Sequence, residues 1–378
     1  MIGAAGWCGR SKPRQSAAEI PLSKDPDRQV TLLYNLLMAA ADAAALVFAR
    51  RRNNLPDWLA TMLCAAVFAA AGGMLLGEDH FGVTRLWAWG LFLHGAVLSA
   101  GSAVLLWRLS KPAAAVSAAT ALILIGVAVD AFLIEPAWLE VSHYRIASEK
   151  LDRPLRIVVL ADLQTDRIGR YEREAFRQAL QQNPDLILLA GDYLQVPWDR
   201  WMKLRGELSK FLQHIDFSAP QGVFAVRGNV DPLDWHKIFD GLHIEAVSDT
   251  RSFDLDGLRL TCLGLYDSYS PNLAVSDSRP EQFHIVLGHV PDFALGEIEA
   301  DLLLAGHTHG GQVRLPLVGP LSTHSRIPRS WAAGMTELPG GRRLLVSRGI
   351  GMERASAPRI RFLCRPELTV IDLVPQKR

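Results

Sequence analysis

Four long apolar stretches occupy residues 29–134 and limit what this chain can fold into. Each is close to the roughly 20 residues that a helix needs to cross the apolar part of a bilayer. Tryptophans and charged residues collect at or near the ends of these stretches, where indole rings favour the headgroup layer. The sequence therefore predicts a four-span helical membrane bundle over 29–135, with spans near Val30–Ala49, Leu59–Leu76, Leu86–Leu106 and Ala113–Ile134.

The distribution of charge separates this region from the rest of the chain. Residues 29–134 hold 11 charged residues, whereas the 244 residues from 135 onward hold 60, about the proportion of a soluble domain. A soluble bundle is the alternative, but its helices would show polar stripes at helical spacing. The net charge of +1 indicates no nucleic-acid partner, and four cysteines without a CxxC indicate neither a disulfide framework nor a zinc knuckle.

The segments beside the bundle are polar. Residues 1–28 lack the apolar core of a secretory signal, so we predict a flexible tail, and we predict a linker over 136–150. Four spans place both termini on one side, where we count nine basic residues against five on the other. We therefore expect a multi-pass protein of a bacterial inner membrane with a cytoplasmic C-terminal domain, although Arg50–Arg52 lie on the opposite side.

Two ionisable residues, Asp42 and His94, lie inside the apolar stretches. Such groups are costly in lipid and usually face the interior of a bundle or a polar pathway. Contact with a lipid headgroup is one possible role. A hydrogen bond from Asp42 to a neighbouring helix is the other, and the scarcity of further polar residues in the spans favours it.

Short apolar runs alternate with amphipathic stretches after residue 150, which is typical of an α/β domain. Helical spacing predicts helices over Glu172–Gln182 and Trp198–Ile215. Asp256-Gly257 and Gly340-Gly341 indicate hairpin turns. The predicted strands include Leu155–Leu160, Leu186–Leu189, Gly222–Val226, Phe283–Leu287, Leu302–Leu304, Arg343–Val346 and Leu368–Leu373.

Five of these strands are followed directly by polar residues with metal-ligating side chains. Ligands of α/β sheets bind beyond the carboxyl ends of the strands, so these side chains should meet at one edge. Oxygen and imidazole ligands without thiolate suit hard or borderline divalent ions, and a pair of such ions can activate water against a phosphate. The five segments are Asp162-Leu163-Gln164, Gly191-Asp192, Gly228-Asn229-Val230-Asp231, Gly288-His289 and Gly306-His307-Thr308-His309.

This series resembles the motifs of the calcineurin-like metallophosphoesterases, which are D-x-H, G-D, G-N-H-[DE], G-H and G-H-x-H. The resemblance covers about residues 150–378 and implies a four-layer αββα sandwich for a domain at 151–378. The longer strings at 305–312 and 347–351 are similar to the membrane-associated branch of the family. That branch includes enzymes similar to phosphodiesterases and to UDP-2,3-diacylglucosamine pyrophosphatases.

The resemblance also implies a dinuclear metal centre and a role for each ligand. A metal-bridging hydroxide would attack phosphorus, and Asn229 would also orient the phosphate. The two metal ions would be divalent, and the candidates are Mn, Fe, Zn, Co and Mg. One ion would take Asp162, Gln164, Asp192 and His309, and the other Asp192, Asn229, His289 and His307.

Two positions depart from the family pattern. Gln164 stands where the family has a histidine, and an amide oxygen suits harder ions than imidazole does. Val230 stands where the family commonly has a histidine that protonates the leaving group. Either the leaving group is a good one, as in a pyrophosphate, or Asp231 or His324 supplies the proton.

We therefore expect a membrane-anchored phosphoesterase that cleaves a phosphodiester or pyrophosphate bond of a small-molecule, nucleotide-linked or lipid-linked substrate at the bilayer. The alternative is a catalytically degenerate membrane sensor or scaffold that binds metal or phosphate. A third hypothesis is that the four spans form a transporter, but they contain too few polar residues to provide a good pathway. Arginines near the C-terminus are candidate phosphate ligands or else part of a solvated face: Arg348, Arg354, Arg359, Arg361 and Arg365.

Overall fold

The computed structural model of the protein describes residues 26–276 and 279–376. It begins with four helices that are long and apolar enough to cross a membrane, which we call the N-terminal bundle. The first helix starts at Pro26, so the last three residues of the predicted tail are helical, and the rest of the tail lies outside the described residues. The four helices are α1 (Pro26–Arg52), α2 (Leu55–Leu76), α3 (His80–Leu106) and α4 (Lys111–Ala137).

Local sequence explains where these helices begin. Three of them start at a residue whose side chain accepts a hydrogen bond from a main-chain N–H of the first turn, which satisfies an otherwise unpaired donor. These residues are Asn54, Asp79 and Ser110. Helices α3 and α4 each contain one π-helical turn, at Gly90–His94 and Asp130–Ile134.

Asp42 and His94 meet between helices α1 and α3. Asp42 Oδ2 lies 2.7 Å from His94 Nδ1, and His94 Nε2 lies 3.0 Å from Asn35 Oδ1. Both ionisable side chains are buried inside the bundle. Of the two roles considered for Asp42, this arrangement matches the hydrogen bond to a neighbouring helix.

The remainder of the chain forms an α/β domain with two six-stranded sheets. The predicted strands and both hairpins are confirmed, with small shifts of their ends. Two helices flank the sheets, α5 (Arg170–Gln181) and α6 (Trp198–His214). The strands of the sheets are β1 (Glu140–Ser148), β2 (Leu155–Leu160), β3 (Leu186–Leu189), β4 (Val223–Val226), β5 (Glu245–Val247), β6 (Arg251–Leu255), β7 (Leu258–Cys262), β8 (Phe283–Leu287), β9 (Leu302–Ala305), β10 (Gly334–Glu337), β11 (Arg343–Val346) and β12 (Glu367–Pro375).

Both sheets are mixed. The first has the order β1-β12-β2-β3-β4-β5, in which only the β12–β2 pair is antiparallel. The second has the order β10-β11-β9-β8-β7-β6, in which the outer pairs β10–β11 and β6–β7 are antiparallel hairpins. The strands that precede the predicted ligands are therefore parallel within their sheets.

Three apolar layers hold the domain together. The side chains of β2, β3 and β4 alternate, so that one set packs on α5 and α6 and the other set faces the second sheet. The outer face of the second sheet is covered by single helical turns and loops, with Phe293 and Ile327 among the buried residues. This is the expected four-layer architecture, in which short turns rather than long helices form the fourth layer.

The segment predicted as a linker, 136–150, instead contains strand β1 at the edge of the first sheet. It pairs in parallel with β12 over its whole length, from Glu140 opposite Glu367 to Ser148 opposite Pro375. Only Ile146 of this strand is buried. An edge strand with so few buried side chains lacks the apolar run that makes a central strand recognisable in a sequence.

The bundle and the α/β domain are in direct contact. The Glu135 carboxylate at the end of α4 accepts the main-chain N–H groups of Leu363 and Cys364. The Arg361 N–H donates to the Ala131 carbonyl inside the π-helical turn of α4, at 3.0 Å. Near the start of α3, Arg85 pairs with Asp27 at 2.8 Å and also donates to the Ser356 carbonyl. The domain is thus attached to the end of the bundle where α1 and α3 begin and α4 finishes.

Candidate metal centre

The predicted ligands follow the carboxyl ends of five parallel strands, β2, β3, β4, β8 and β9, in the two sheets. Five of them have positive φ angles, a left-handed conformation that costs energy in residues other than glycine. The main chain therefore bends sharply at each of these five residues. These residues are Asp162, Gln164, Asp192, His307 and His309.

Asp192 lies where the loops after β3 and β4 touch. Its Oδ1 accepts the Val230 N–H at 2.9 Å, and its own N–H donates to Asp231 Oδ2 at 2.8 Å. Asp231 Oδ2 also accepts the N–H of Gly228, and Asp231 Oδ1 accepts that of Tyr193. The buried Asp231 side chain thus ties the two loops together through main-chain groups.

Ligand atoms of Asp192, His289 and His307 lie within 4.8 Å of one another. Asn229 Oδ1 joins them, at 2.9 Å from His289 Nε2 and 2.7 Å from His307 Nδ1. His289 Nε2 lies 3.4 Å from Asp192 Oδ2. An amide oxygen, a carboxylate and two imidazoles converge here, a donor set that suits a divalent cation.

The other nitrogen of each imidazole faces a main-chain carbonyl. His289 Nδ1 lies 2.7 Å from the Ala190 carbonyl, and His307 Nε2 lies 3.1 Å from the His324 carbonyl. A carbonyl only accepts, so each of these nitrogens is the donor in its hydrogen bond. The nitrogens that face Asn229 Oδ1 are the ones placed to bind a cation, which would take the position of any hydrogen there. A hydrogen bond of this kind orients the metal-binding histidines of proteins.

Two further predicted ligands have buried atoms without a partner among the described residues. These atoms are Gln164 Oε1 and His309 Nδ1. A buried acceptor without a hydrogen-bond donor is costly, and metal coordination is one way in which proteins satisfy such an atom. Both residues were assigned to the same predicted ion, so the chemistry of this chain fits a metal there.

The amide of Gln164 is oriented by two residues that sequence analysis missed. Gln164 Nε2 donates to Glu353 Oε2 at 2.9 Å and to Gln195 Oε1 at 3.1 Å. Gln195 in turn donates to Glu353 Oε1 at 2.6 Å. With its NH₂ group held by these acceptors, Gln164 keeps its carbonyl oxygen free. Neither partner could have been found from the sequence, because they follow different strands and carry no motif of their own.

The charges in this cluster interact strongly. Burial raises the pKa of Asp162 to about 7, against the opposing effect of the His289 ring. Burial acts to raise the pKa of Asp192, but the His289 ring, the Val230 N–H and the His307 ring together keep this pKa below its usual value. Burial lowers the pKa of His289, whereas Asp192 and Asp162 together bring it to about 9. Burial and then His289 lower the pKa of His307 to about 4.

Glycines allow the backbone to approach two of the carboxylates. A Cβ on Gly349, whose φ is +72°, would lie 2.7 Å from Asp162 Oδ2. A Cβ on Gly228 would lie 2.0 Å from Asp192 Oδ1 and 2.2 Å from the Asp192 nitrogen. The Asp162 carboxylate also accepts the His307 N–H, which joins the loops of the two sheets.

Neither predicted proton donor is placed for that role. Both oxygens of Asp231 are occupied by main-chain N–H groups, as described above, and the side chain is buried. Burial and then Asp192 raise its pKa to about 7. His324 presents its carbonyl to His307, while its ring packs on His80 and Phe81 of helix α3. Tyr269, which sequence analysis also missed, has its ring centroid 6.0 Å from that of His307.

The five C-terminal arginines are engaged in protein contacts. Arg361 is fully buried and donates to main-chain carbonyls, including those of Gly351 and Cys364. Arg348 pairs with Glu140 and Glu367, and both Arg354 and Arg359 pair with Asp166. Arg365 lies over the Trp138 ring at 3.6 Å. These contacts are with other residues of the chain, so they support neither of the two roles considered for these arginines as a group, phosphate binding or a solvated face.

Known proteins are similar to this chain. The family model for calcineurin-like phosphoesterases matches residues 155–311. The chain is 33% identical over 261 residues to phosphodiesterase YaeI of Escherichia coli (strain K12), an alignment that covers 64% of this chain and 90% of that protein. The chain belongs to the calcineurin-like phosphoesterase family.

Other relatives of this phosphoesterase are more distant. It is 29% identical to the uncharacterized metallophosphoesterase YkuE of Bacillus subtilis (strain 168), over 51% of this chain and 69% of that protein. It is also 29% identical to an uncharacterized metallophosphoesterase of Aquifex aeolicus (strain VF5), over 64% of this chain and 94% of that protein. As a member of this family, the chain is a hydrolase that acts on phosphoric esters. Its Asp192–His289–His307 cluster is suited to a divalent metal.

Substituting alanine for Gly228 should remove metal from the phosphoesterase domain. The added methyl group would displace the Asp192 carboxylate and main chain, because no space exists for it. We expect metal content, measured by mass spectrometry of the purified chain, to fall sharply relative to wild type. The matched control is Gly206→Ala in helix α6, where a Cβ meets nothing within 4 Å and alanine favours the helix. Normal metal content in Gly228→Ala would contradict the close packing around Asp192.

Proposed function

We propose that this phosphoesterase holds two divalent ions and cleaves a phosphodiester or pyrophosphate bond of a lipid-linked substrate at a bilayer surface. The observation that carries the proposal is the convergence of Asp192, Asn229, His289 and His307, next to the unpartnered Gln164 Oε1 and His309 Nδ1. Closely spaced hydrogen-bond acceptors that lack donors are stabilised by bound cations, and a pair of divalent cations can bind a phosphate.

In this proposal Asp162, Gln164, Asp192 and His309 hold one ion, and Asp192, Asn229, His289 and His307 hold the other. Divalent ions bound there would polarise the phosphoryl oxygens and supply a hydroxide nucleophile. Mn, Fe, Zn, Co and Mg all remain candidates, and the amide oxygen of Gln164 favours the harder of these ions at the first position.

The side chains around the ions set the geometry of the reaction. Asp231 keeps Asp192 in place through main-chain hydrogen bonds, and the Ala190 and His324 carbonyls orient the two histidines. Asn229, in contact with both histidine rings, is the residue placed to orient the phosphate. Burial of Asp162 and Asp192 keeps bulk water from the carboxylates, which strengthens their interaction with charge.

The chemistry of the leaving group follows from Val230 and its neighbours. Valine cannot donate a proton, and the side chains of Asp231 and His324 are held in other contacts. A leaving group that needs no protonation suits such a site best, which favours the phosphate side of a pyrophosphate bond over an alkoxide. A sensor that binds without turnover is the alternative that the assay below distinguishes.

Membrane location is proposed from the N-terminal bundle and its contacts with the domain. Exposed apolar side chains cover the bundle, and the His324 ring lies against the start of α3 while its carbonyl contacts the metal cluster. The site therefore lies close to the end of the apolar helices, where the headgroups of a bilayer would be. We propose a bacterial inner membrane with the phosphoesterase domain in the cytoplasm, on the count of basic residues.

Hydrolysis tests the proposed activity. The purified full chain, loaded with Mn²⁺, should cleave bis-p-nitrophenyl phosphate, whose leaving group needs no proton, and should be far slower on a dialkyl phosphodiester. Asp192→Ala and His307→Ala should abolish turnover and lower metal content together. Lys203→Ala, on the exposed face of α6, is the control and should behave as wild type. A wild type that binds two ions but cleaves neither these diesters nor a nucleotide-sugar lipid would favour the sensor.

Glu353→Ala tests the orientation of Gln164. Loss of this carboxylate lets the Gln164 amide rotate, and removal of such a supporting group typically lowers metal affinity by about 10–100-fold. We expect the first ion to be lost in metal titrations while the second ion is retained. Glu337→Ala removes an exposed carboxylate that pairs with Arg343 and serves as the control. Equal affinity for both ions in Glu353→Ala and wild type would remove the role given to this residue.

The orientation in the membrane is tested by labelling single cysteines in intact cells. In a chain with Cys8 and Cys64 replaced by alanine, a cysteine at Arg51 should react with an impermeant reagent added outside, because it follows the first span. A cysteine at the exposed Asp256 of the phosphoesterase domain should be protected. The reverse pattern would place the phosphoesterase domain outside the cytoplasm.

A further inference from the structure

A small hairpin with an apolar tip follows the last metal-ligand loop. Its two strands, Arg314–Leu315 and Gly319–Pro320, are antiparallel, and we call residues 314–321 the apolar hairpin. Leu317 at the tip is completely exposed (109% relative exposure), and Val318 beside it is 58% exposed. Leu317 also has a φ of +66°, a strained conformation for a leucine. Exposure and strain together are unfavourable for this side chain in water.

The start of the apolar hairpin is attached to the end of helix α4. The Arg314 N–H donates to the Phe362 carbonyl at 2.9 Å, and Val313 forms a β-bridge with Phe362. The next residue, Leu363, donates its N–H to the Glu135 carboxylate of α4 at 2.8 Å. Phe362, which contacts the start of the hairpin, and Leu363, which contacts the last turn of α4, are therefore consecutive residues.

The far side of the hairpin is attached to helix α3. His324, three residues beyond the hairpin, packs its ring on His80 and Phe81, with centroid distances of 5.8 and 5.3 Å. The hairpin is thus held between the beginning of one apolar helix and the end of another.

Other apolar side chains at the attachment to α4 are also exposed. Leu133 and Ile134 near the end of α4 are 69% and 47% exposed, and Leu363 on the domain is 53% exposed. Arg326 and Arg329, a few residues after the hairpin, are exposed on the same loop. An apolar tip beside basic residues is the composition of segments that bind the interface of anionic membranes.

We propose that the apolar hairpin inserts Leu317 and Val318 into the interfacial layer of the bilayer that the N-terminal bundle crosses. This inference rests on the membrane location given under Proposed function and identifies the partner of the hairpin as a lipid surface. Lipid would bury the two side chains that water leaves exposed, and it would thereby offset the strain of Leu317.

The hairpin also connects this surface to the metal centre. His324 presents its carbonyl to His307 at 3.1 Å, and Gln312, just before the hairpin, accepts the Glu353 N–H at 2.5 Å. Glu353 orients the amide of Gln164. Insertion of the hairpin would therefore hold the metal ligands at headgroup height, where the phosphate of a membrane lipid lies.

Depth-dependent quenching tests the insertion. The full chain, with Cys8 and Cys64 replaced by alanine, would carry an environment-sensitive fluorophore on Leu317→Cys or, separately, on Val318→Cys. It would be placed in nanodiscs of phosphatidylcholine and phosphatidylglycerol. We expect blue-shifted emission that lipids with a spin label near the headgroup quench strongly. The control is Asp256→Cys, in the turn at the opposite end of the second sheet, whose emission should be that of water and unquenched.

The outcomes separate the two proposals. Water-like, unquenched emission at both tip positions would overturn the hairpin proposal, even if the same protein cleaves bis-p-nitrophenyl phosphate. Emission that is blue-shifted only when two copies share a nanodisc would also overturn it, because the partner would then be a second chain. Lipid quenching in a protein that cleaves no phosphodiester would support the hairpin proposal while the proposed function fails.

Discussion

The candidate metal centre depends on one buried carboxylate, Asp231, whose oxygens bind main-chain N–H groups. Asp231 accepts the N–H groups of Asp192, Tyr193 and Gly228, so it locks the loops after β3 and β4 into one unit. Gly228 must lack a side chain for this contact to close. Asp192 is then presented to His289 and His307 from the second sheet, and the two halves of the sandwich share one site.

The junction between the bundle and the domain extends this organisation to the membrane side. Glu135 binds the main chain of residues 363–364, and the π-helical turn of α4 leaves the Ala131 carbonyl available to Arg361. The same Arg361 guanidinium holds the main chain around Gly349 and Gly351, which packs on Asp162. A continuous set of hydrogen bonds, formed by the Glu135 and Arg361 side chains and by main-chain groups, therefore runs from the last apolar helix to Asp162.

Many features of this structure could be predicted from hydrophobic periodicity and from the order of the motifs in the sequence. Four apolar stretches of spanning length, buried strands and hairpin turns follow from local patterns that each segment carries alone. The clustering of Asp192, His289 and His307 could be expected because polar residues after parallel strands meet at one edge of a sheet. Strand β1 was missed, since an edge strand with one buried residue has no such pattern. Gln195 and Glu353 were missed because their role exists only through contact with Gln164.

The helical stretches, the α/β class, the family motifs and the two departures at Gln164 and Val230 can all be recognised in the amino-acid sequence, because each is a property of neighbouring residues. The roles of the candidate side chains, in contrast, are seen only in the folded protein. Asp231 turned out to bind main-chain N–H groups, the His324 ring turned toward α3, and the C-terminal arginines paired with protein partners. These outcomes depend on which segments lie side by side, and distances between segments far apart in the chain are not encoded in any single stretch of it.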